Sequence, residues 1–87
     1  MIDEINASNQ GIIEFLLTDL DVALTFMDVA KTTEFRDTAE RNHQNARRAY
    51  EMVITKLKEV TPNAHQQAML DEKLAMLQAR LKAAGRL

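Results

Sequence analysis

The sequence has no cysteine, only two glycines and a single proline among its 87 residues. Without cysteine the chain has neither a disulfide framework nor a thiolate zinc site, and it suits a reducing compartment. With so little glycine and proline it lacks the turn residues on which β-proteins depend. These absences favour an all-α domain.

The sequence also lacks a large excess of charge of either sign, and it lacks long hydrophobic runs. The formal net charge of −2 gives no general attraction to nucleic acid or to an anionic membrane. The longest apolar run, GIIEFLL, is interrupted by Glu14 and followed by Asp19 and Asp21, so no membrane span is predicted. The start, MIDEINASNQ, is acidic and polar, unlike a signal peptide. We therefore expect a cytoplasmic protein.

Apolar residues recur at steps of three and four in three segments, which indicates helices at about 10–32, 35–60 and 62–84. The first ladder is Ile13, Leu16, Leu20, Ala23, Met27 and Ala30. The second is Ala39, His43, Ala46, Tyr50, Val53, Leu57 and Val60. The third is Leu70, Leu74, Leu77, Leu81 and Ala84.

The segment boundaries suggest a loose arm at 1–8 and one domain at 9–87. Thr61 and Pro62 are suited to the N-cap and first position of the third helix, and Gly85 to a left-handed C-terminal turn. Because the connections are short, neighbouring helices must run antiparallel. The sequence thus predicts an up-down-up three-helix bundle.

Catalytic and metal-binding patterns are not recognisable. His43 belongs to the second ladder and His65 stands alone near the start of the third helix. Asp19, Asp21 and Asp28 form either a polar edge of the first helix or a site for a cation or a basic partner. We expect no enzyme, no bound metal and no cofactor.

Four arginines of the second helix, Arg36, Arg41, Arg47 and Arg48, are candidate contacts for an anion or an acidic partner. Arg36 can pair with Glu40 and Arg47 with Glu51, four residues on. This mixture of charges favours a solvated face. The alternative is a small nucleic-acid-binding regulator that uses these arginines, although nucleic acid is not the expected partner.

The first helix carries a second apolar stripe, formed by Phe15, Val22, Phe26 and Val29. The stripe is either covered inside the bundle or binds another molecule, most simply a second copy of the chain. Since small domains gain stability by association, we expect a homo-oligomer, with a dimer favoured, or a complex with another protein.

The segment NARRAYEMVITKL places Ala46, Tyr50 and Val53 at helical spacing, and Pro62 follows the end of the helix. Over residues 16–62 the chain resembles a tetratricopeptide-type hairpin, and also the microtubule-interacting-and-trafficking type of helical module. That resemblance implies a helical scaffold for protein interaction. The expected function is a non-catalytic interaction or structural module that self-associates through the first helix.

Overall fold

A computed structural model shows an all-α, up-down-up bundle of three helices, which confirms the predicted fold class. The helices are α1 (Ile2–Thr32), α2 (Arg36–Leu57) and α3 (Ala64–Ala83). The structure describes the backbone of residues 2–87 and the side chains of residues 9–87. The molecule is elongated and measures 51 × 18 × 17 Å.

The core lies along α1, and the whole α1 ladder from Ile13 to Ala30 is buried as predicted. From the other helices the fully buried side chains are Ala46, Val53, Leu70, Leu77 and Leu81. α1 contacts α2 most, α3 less, and α2 and α3 touch least. The first helix is therefore the central element, and the contact between α2 and α3 is thin.

The backbone is helical from Ile2, so the arm predicted at 1–8 is instead part of α1 from residue 2 on; Met1 lies outside the described residues. Asn9 lies within α1 and bonds to the turn between α2 and α3. Its amide nitrogen donates to the Thr61 carbonyl at 3.0 Å, and its Oδ1 accepts from the Thr61 N–H at 2.9 Å.

The turn between α2 and α3 is longer than predicted, because α2 ends at Leu57 and α3 begins at Ala64. Asn63, and not Thr61, is the N-cap of α3. Its Oδ1 accepts from the Gln66 N–H at 2.8 Å, and the Gln66 Oε1 accepts from the Asn63 N–H at 2.9 Å. This reciprocal capping box satisfies two helix-end donors, while the Thr61 backbone is engaged by α1.

Gly85 adopts the left-handed conformation, as predicted, with φ of 72°. The Arg86 N–H donates to the Leu81 carbonyl at 2.8 Å and the Gly85 N–H to the Lys82 carbonyl at 3.0 Å. These two bonds form a Schellman motif. The motif turns the chain so that the Arg86 guanidinium reaches Glu40 of α2.

Candidate interaction surface on α1

Three of the four residues predicted as an interface are exposed on one side of α1. Phe15 is 58% exposed, Val22 41% and Val29 38%. Their seven-residue spacing places them on one face of the helix. Ile12, three residues before Phe15, is 38% exposed. We call Ile12, Phe15, Val22 and Val29 the outer stripe.

Phe26 differs from the other predicted interface residues because it is partly buried and packs against the core. Its position in the sequence could not reveal this, since the way the neighbouring helices pack decides which flank of α1 is covered. Phe26 therefore belongs mainly to the bundle interior and is not counted in the outer stripe.

The N-terminal part of the outer stripe borders a shallow groove of about 440 Å³. Gly11, Ile12, Phe15 and Leu16 line it from α1, and Lys56 lines it from α2. The Lys56 ammonium lies 3.2 Å from a carboxylate oxygen of Glu59. The aliphatic stem of Lys56 thus extends the apolar surface toward α2, since lysine keeps only its charged end in water.

Asp19 lies in the same register as the outer stripe, four residues after Phe15 and three before Val22. Its Oδ2 is buried and has no hydrogen-bond partner among the described residues. Burial raises the pKa of the Asp19 carboxyl because the charged form loses hydration. Sequence reasoning grouped Asp19 with other acidic residues, although its spacing from Phe15 and Val22 already pointed to the stripe.

Asp21 and Asp28, which the sequence groups with Asp19, face α3. Asp21 accepts from the Lys73 ammonium, and Asp28 accepts from the Arg80 guanidinium at 2.8 Å. The three aspartates therefore do not converge on one site. Within residues 9–87 no cluster of three or more histidine and acidic side chains is arranged to hold a metal ion.

The four arginines of α2 are all exposed and do not form one continuous cationic surface. Arg47 makes the predicted pair with Glu51, at 3.1 Å. The Arg41 guanidinium donates to the Thr38 hydroxyl at 3.4 Å. Arg41 and Arg48, seven residues apart, share the side of α2 opposite the core.

The predicted pair of Arg36 with Glu40 is not what the structure shows. Glu40 instead accepts from Arg86, through both carboxylate oxygens, and from Gln44 at 3.3 Å. The hydrogen bonds from Arg86, followed by its charge, lower the pKa of Glu40. The Schellman motif at Gly85 is the physical reason, because it presents Arg86 to the first turns of α2.

Comparisons with known proteins give no relative: no family model, no curated protein and no solved structure matches the chain. The likeness to tetratricopeptide-type and microtubule-interacting-and-trafficking-type modules thus stays a prediction from sequence. Across the part of the chain described here, none of the helices combines the length and the hydrophobicity needed to cross a membrane.

Proposed function

We propose that the protein is a non-catalytic helical interaction module that forms a dimer through the outer stripe of α1. The observation that carries the proposal is the exposure of Phe15, Val22 and Val29 at heptad spacing on one helix face. Seven-residue repeats of apolar side chains are the pattern by which helices pack against each other. Exposed apolar patches on small proteins commonly mark interfaces.

The total exposed surface supports association. The protein exposes 5960 Å². The size scaling of folded monomers gives about 5200 Å² for a mass of 9.9 kDa. The excess reflects an elongated shape and a narrow core. A second copy on the outer stripe would remove part of this surface from water.

The spacing of the stripe suggests how two copies pack. Residues 12–29 span about 26 Å along α1 at the helical rise per residue. A two-fold axis near Val22, the central residue, would set Phe15 of one copy against Val29 of the other. Such a contact is small, so we expect a dissociation constant on the order of 10 µM.

The test is the mass in solution, by light scattering or sedimentation, from about 1 to about 100 µM protein. We expect the mass to rise from that of the 9.9 kDa monomer toward twice that value. The double variant Phe15→Glu, Val22→Glu should stay monomeric with an unchanged helical spectrum, because both side chains are exposed.

The matched control is Ile54→Glu, Met76→Glu. Ile54 is 38% and Met76 42% exposed, close to the stripe valines, but they lie on α2 and α3. This variant should dimerise like the wild type. A wild-type chain that remains a strict monomer at about 50 µM would contradict the proposal.

A nucleic-acid-binding regulator that uses Arg36, Arg41, Arg47 and Arg48 stays the alternative. It has less support, because Arg47 is paired with Glu51 and the exposed arginines face different directions. Salt-dependent binding to a duplex or single strand would favour it.

A cytoplasmic location is likewise a prediction, and fractionation of the native cells would test it.

A further inference from the structure

A cavity of about 400 Å³ opens where α1 ends, α2 begins and α3 ends. Side chains of all three helices line it, among them Met27 of α1, His43 of α2 and Ala83 of α3. Its volume falls within the range of pockets that hold small molecules. No residue of the outer stripe lines it, so the cavity is independent of the proposed dimer surface.

Small side chains create this space. The core ladder of α1 ends in the small side chain of Ala30, whereas its earlier turns carry Leu16 and Leu20. Alanines likewise follow Leu81 at the end of α3. The apolar part of the wall consists of Met27, Ala30, Ala83 and Ala84. It suits an aliphatic group of a few carbons.

The charged part of the wall is net positive. Arg80 donates to Asp28 at 2.8 Å, and both side chains line the cavity. Lys31 lines it as well and makes no ion pair with any residue from 9 to 87. The charges of Arg80 and Asp28 cancel, so the cavity keeps the one positive charge of Lys31. The chain as a whole, in contrast, has a net charge of −2.

His43 lines the cavity from α2. Its Nδ1 is buried and has no hydrogen-bond partner in the described part of the chain. Because that atom is closed off from solvent, a molecule in the cavity does not reach it, and the His43 ring serves as part of the wall. The Lys31 ammonium is the donor at this cavity suited to a carboxylate.

We propose that this cavity binds a small aliphatic monocarboxylic acid. The hydrocarbon chain lies on Met27, Ala30 and Ala83, and the carboxylate is held by Lys31. A cation of the same shape would be repelled by the positive charge of Lys31. A neutral alcohol would leave that charge without a partner.

The test is a titration of the ¹⁵N-labelled protein with sodium octanoate at low salt, followed by NMR. We expect saturable shifts at the ends of α1 and α3 and at His43, with a dissociation constant on the order of 1 mM, typical for so small a ligand. Octylammonium has the same hydrocarbon chain and the opposite charge, and it should bind about tenfold more weakly or not at all.

Two variants localise the site. Ala83→Leu fills the cavity from an exposed position and should abolish the shifts, and Lys31→Gln should weaken binding about fivefold. Lys58→Gln, at the opposite end of the bundle, is the matched control and should bind like the wild type. Circular dichroism confirms that each variant is folded.

Several results would overturn the proposal. They are the absence of saturable shifts up to about 10 mM octanoate, equal binding of octylammonium, and unchanged binding by folded Ala83→Leu. Shifts confined to Phe15, Val22 and Val29 would also overturn it, since they indicate adsorption to the outer stripe.

Discussion

Asp19 is the residue whose environment fits its chemistry least. A carboxylate in the register of an apolar stripe, with one oxygen buried and unpaired among the described residues, lowers the stability of the fold at neutral pH. Single polar residues within apolar helix faces are known to fix register and partner number in helical assemblies. Asp19 has the position to do this for the outer stripe.

We expect Asp19→Leu to stabilise the protein by about 1 kcal/mol at pH 7, because it removes a buried group without a hydrogen-bond partner. The folded-state pKa of Asp19 is raised, so its contribution to stability is complete at low pH and is lost as the pH rises through that pKa. The gain from the substitution should therefore be larger at pH 7 than at pH 3, in urea unfolding of dilute protein.

Leucine also favours helix more than aspartate does, but that effect does not depend on pH. An equal gain at both pH values would mean that helix propensity, and not the buried carboxylate, accounts for the stabilisation. Glu14→Leu, at an exposed position of α1, is the control for the gain that helix propensity alone gives.

At the scale of elements, the least extensive helix–helix contact is between α2 and α3. The ion pair of Arg86 with Glu40 joins the two helices at one end of that contact. The hydrogen bonds between the two side chains lower the pKa of Glu40 and raise that of Arg86. The pair is partly open to solvent, so screening limits its strength. Its main effect is to hold the end of α3 against the start of α2.

We expect Arg86→Gln to be less stable than the wild type at pH 7. Because the folded pKa of Glu40 lies below the ordinary 4.5, the stabilisation is present above that value and disappears as the pH falls through the lowered pKa. The unfolding curves of the two proteins should therefore converge once the pH falls below the lowered pKa of Glu40. The control is Arg48→Gln, whose guanidinium makes no ion pair within residues 9–87.

A difference between Arg86→Gln and the wild type that persists unchanged in acid would show that Arg86 acts through packing, and not through Glu40. The effects of Glu40 and Asp19 on the free energy of unfolding have opposite pH dependence. Acidification removes the stabilisation that Glu40 gives, and it removes the destabilisation that the charged Asp19 causes.

The sequence predicted what depends on local spacing. The α1 ladder from Ile13 to Ala30 is buried as expected, since helical periodicity alone decides which side chains share a face. The left-handed Gly85 and the Arg47–Glu51 pair are local in the same sense. The start of α3 was misplaced, although the Asn63 to Gln66 spacing carries the signature of a capping box.

What the sequence could not predict depends on how the helices rotate and where their ends meet. The partial burial of Phe26 depends on how the neighbouring helices pack on α1. The partner of Glu40 is 46 residues away in the chain and is presented by a turn at the other end of α3. The cavity beside His43 requires three helix ends together, so no pattern within one segment reveals it.

At the scale of the whole molecule, the central claim is that a second copy packs on the outer stripe of α1. The lack of cysteine makes this directly measurable, because a single introduced thiol reports only on its own position. Val22 is the middle residue of the stripe. It lies close to its counterpart in either a parallel or an antiparallel pairing of two α1 helices.

The decisive measurement is disulfide cross-linking of Val22→Cys under mild oxidation, compared with Met76→Cys on α3, which is 42% exposed against 41% for Val22. A disulfide needs the two Cα atoms within about 7 Å, so only a specific contact gives a high yield. We predict efficient covalent dimer formation by Val22→Cys, its loss when Phe15→Glu is added, and little dimer from Met76→Cys. Equal yields at both positions, or no dimer from Val22→Cys, would contradict the account.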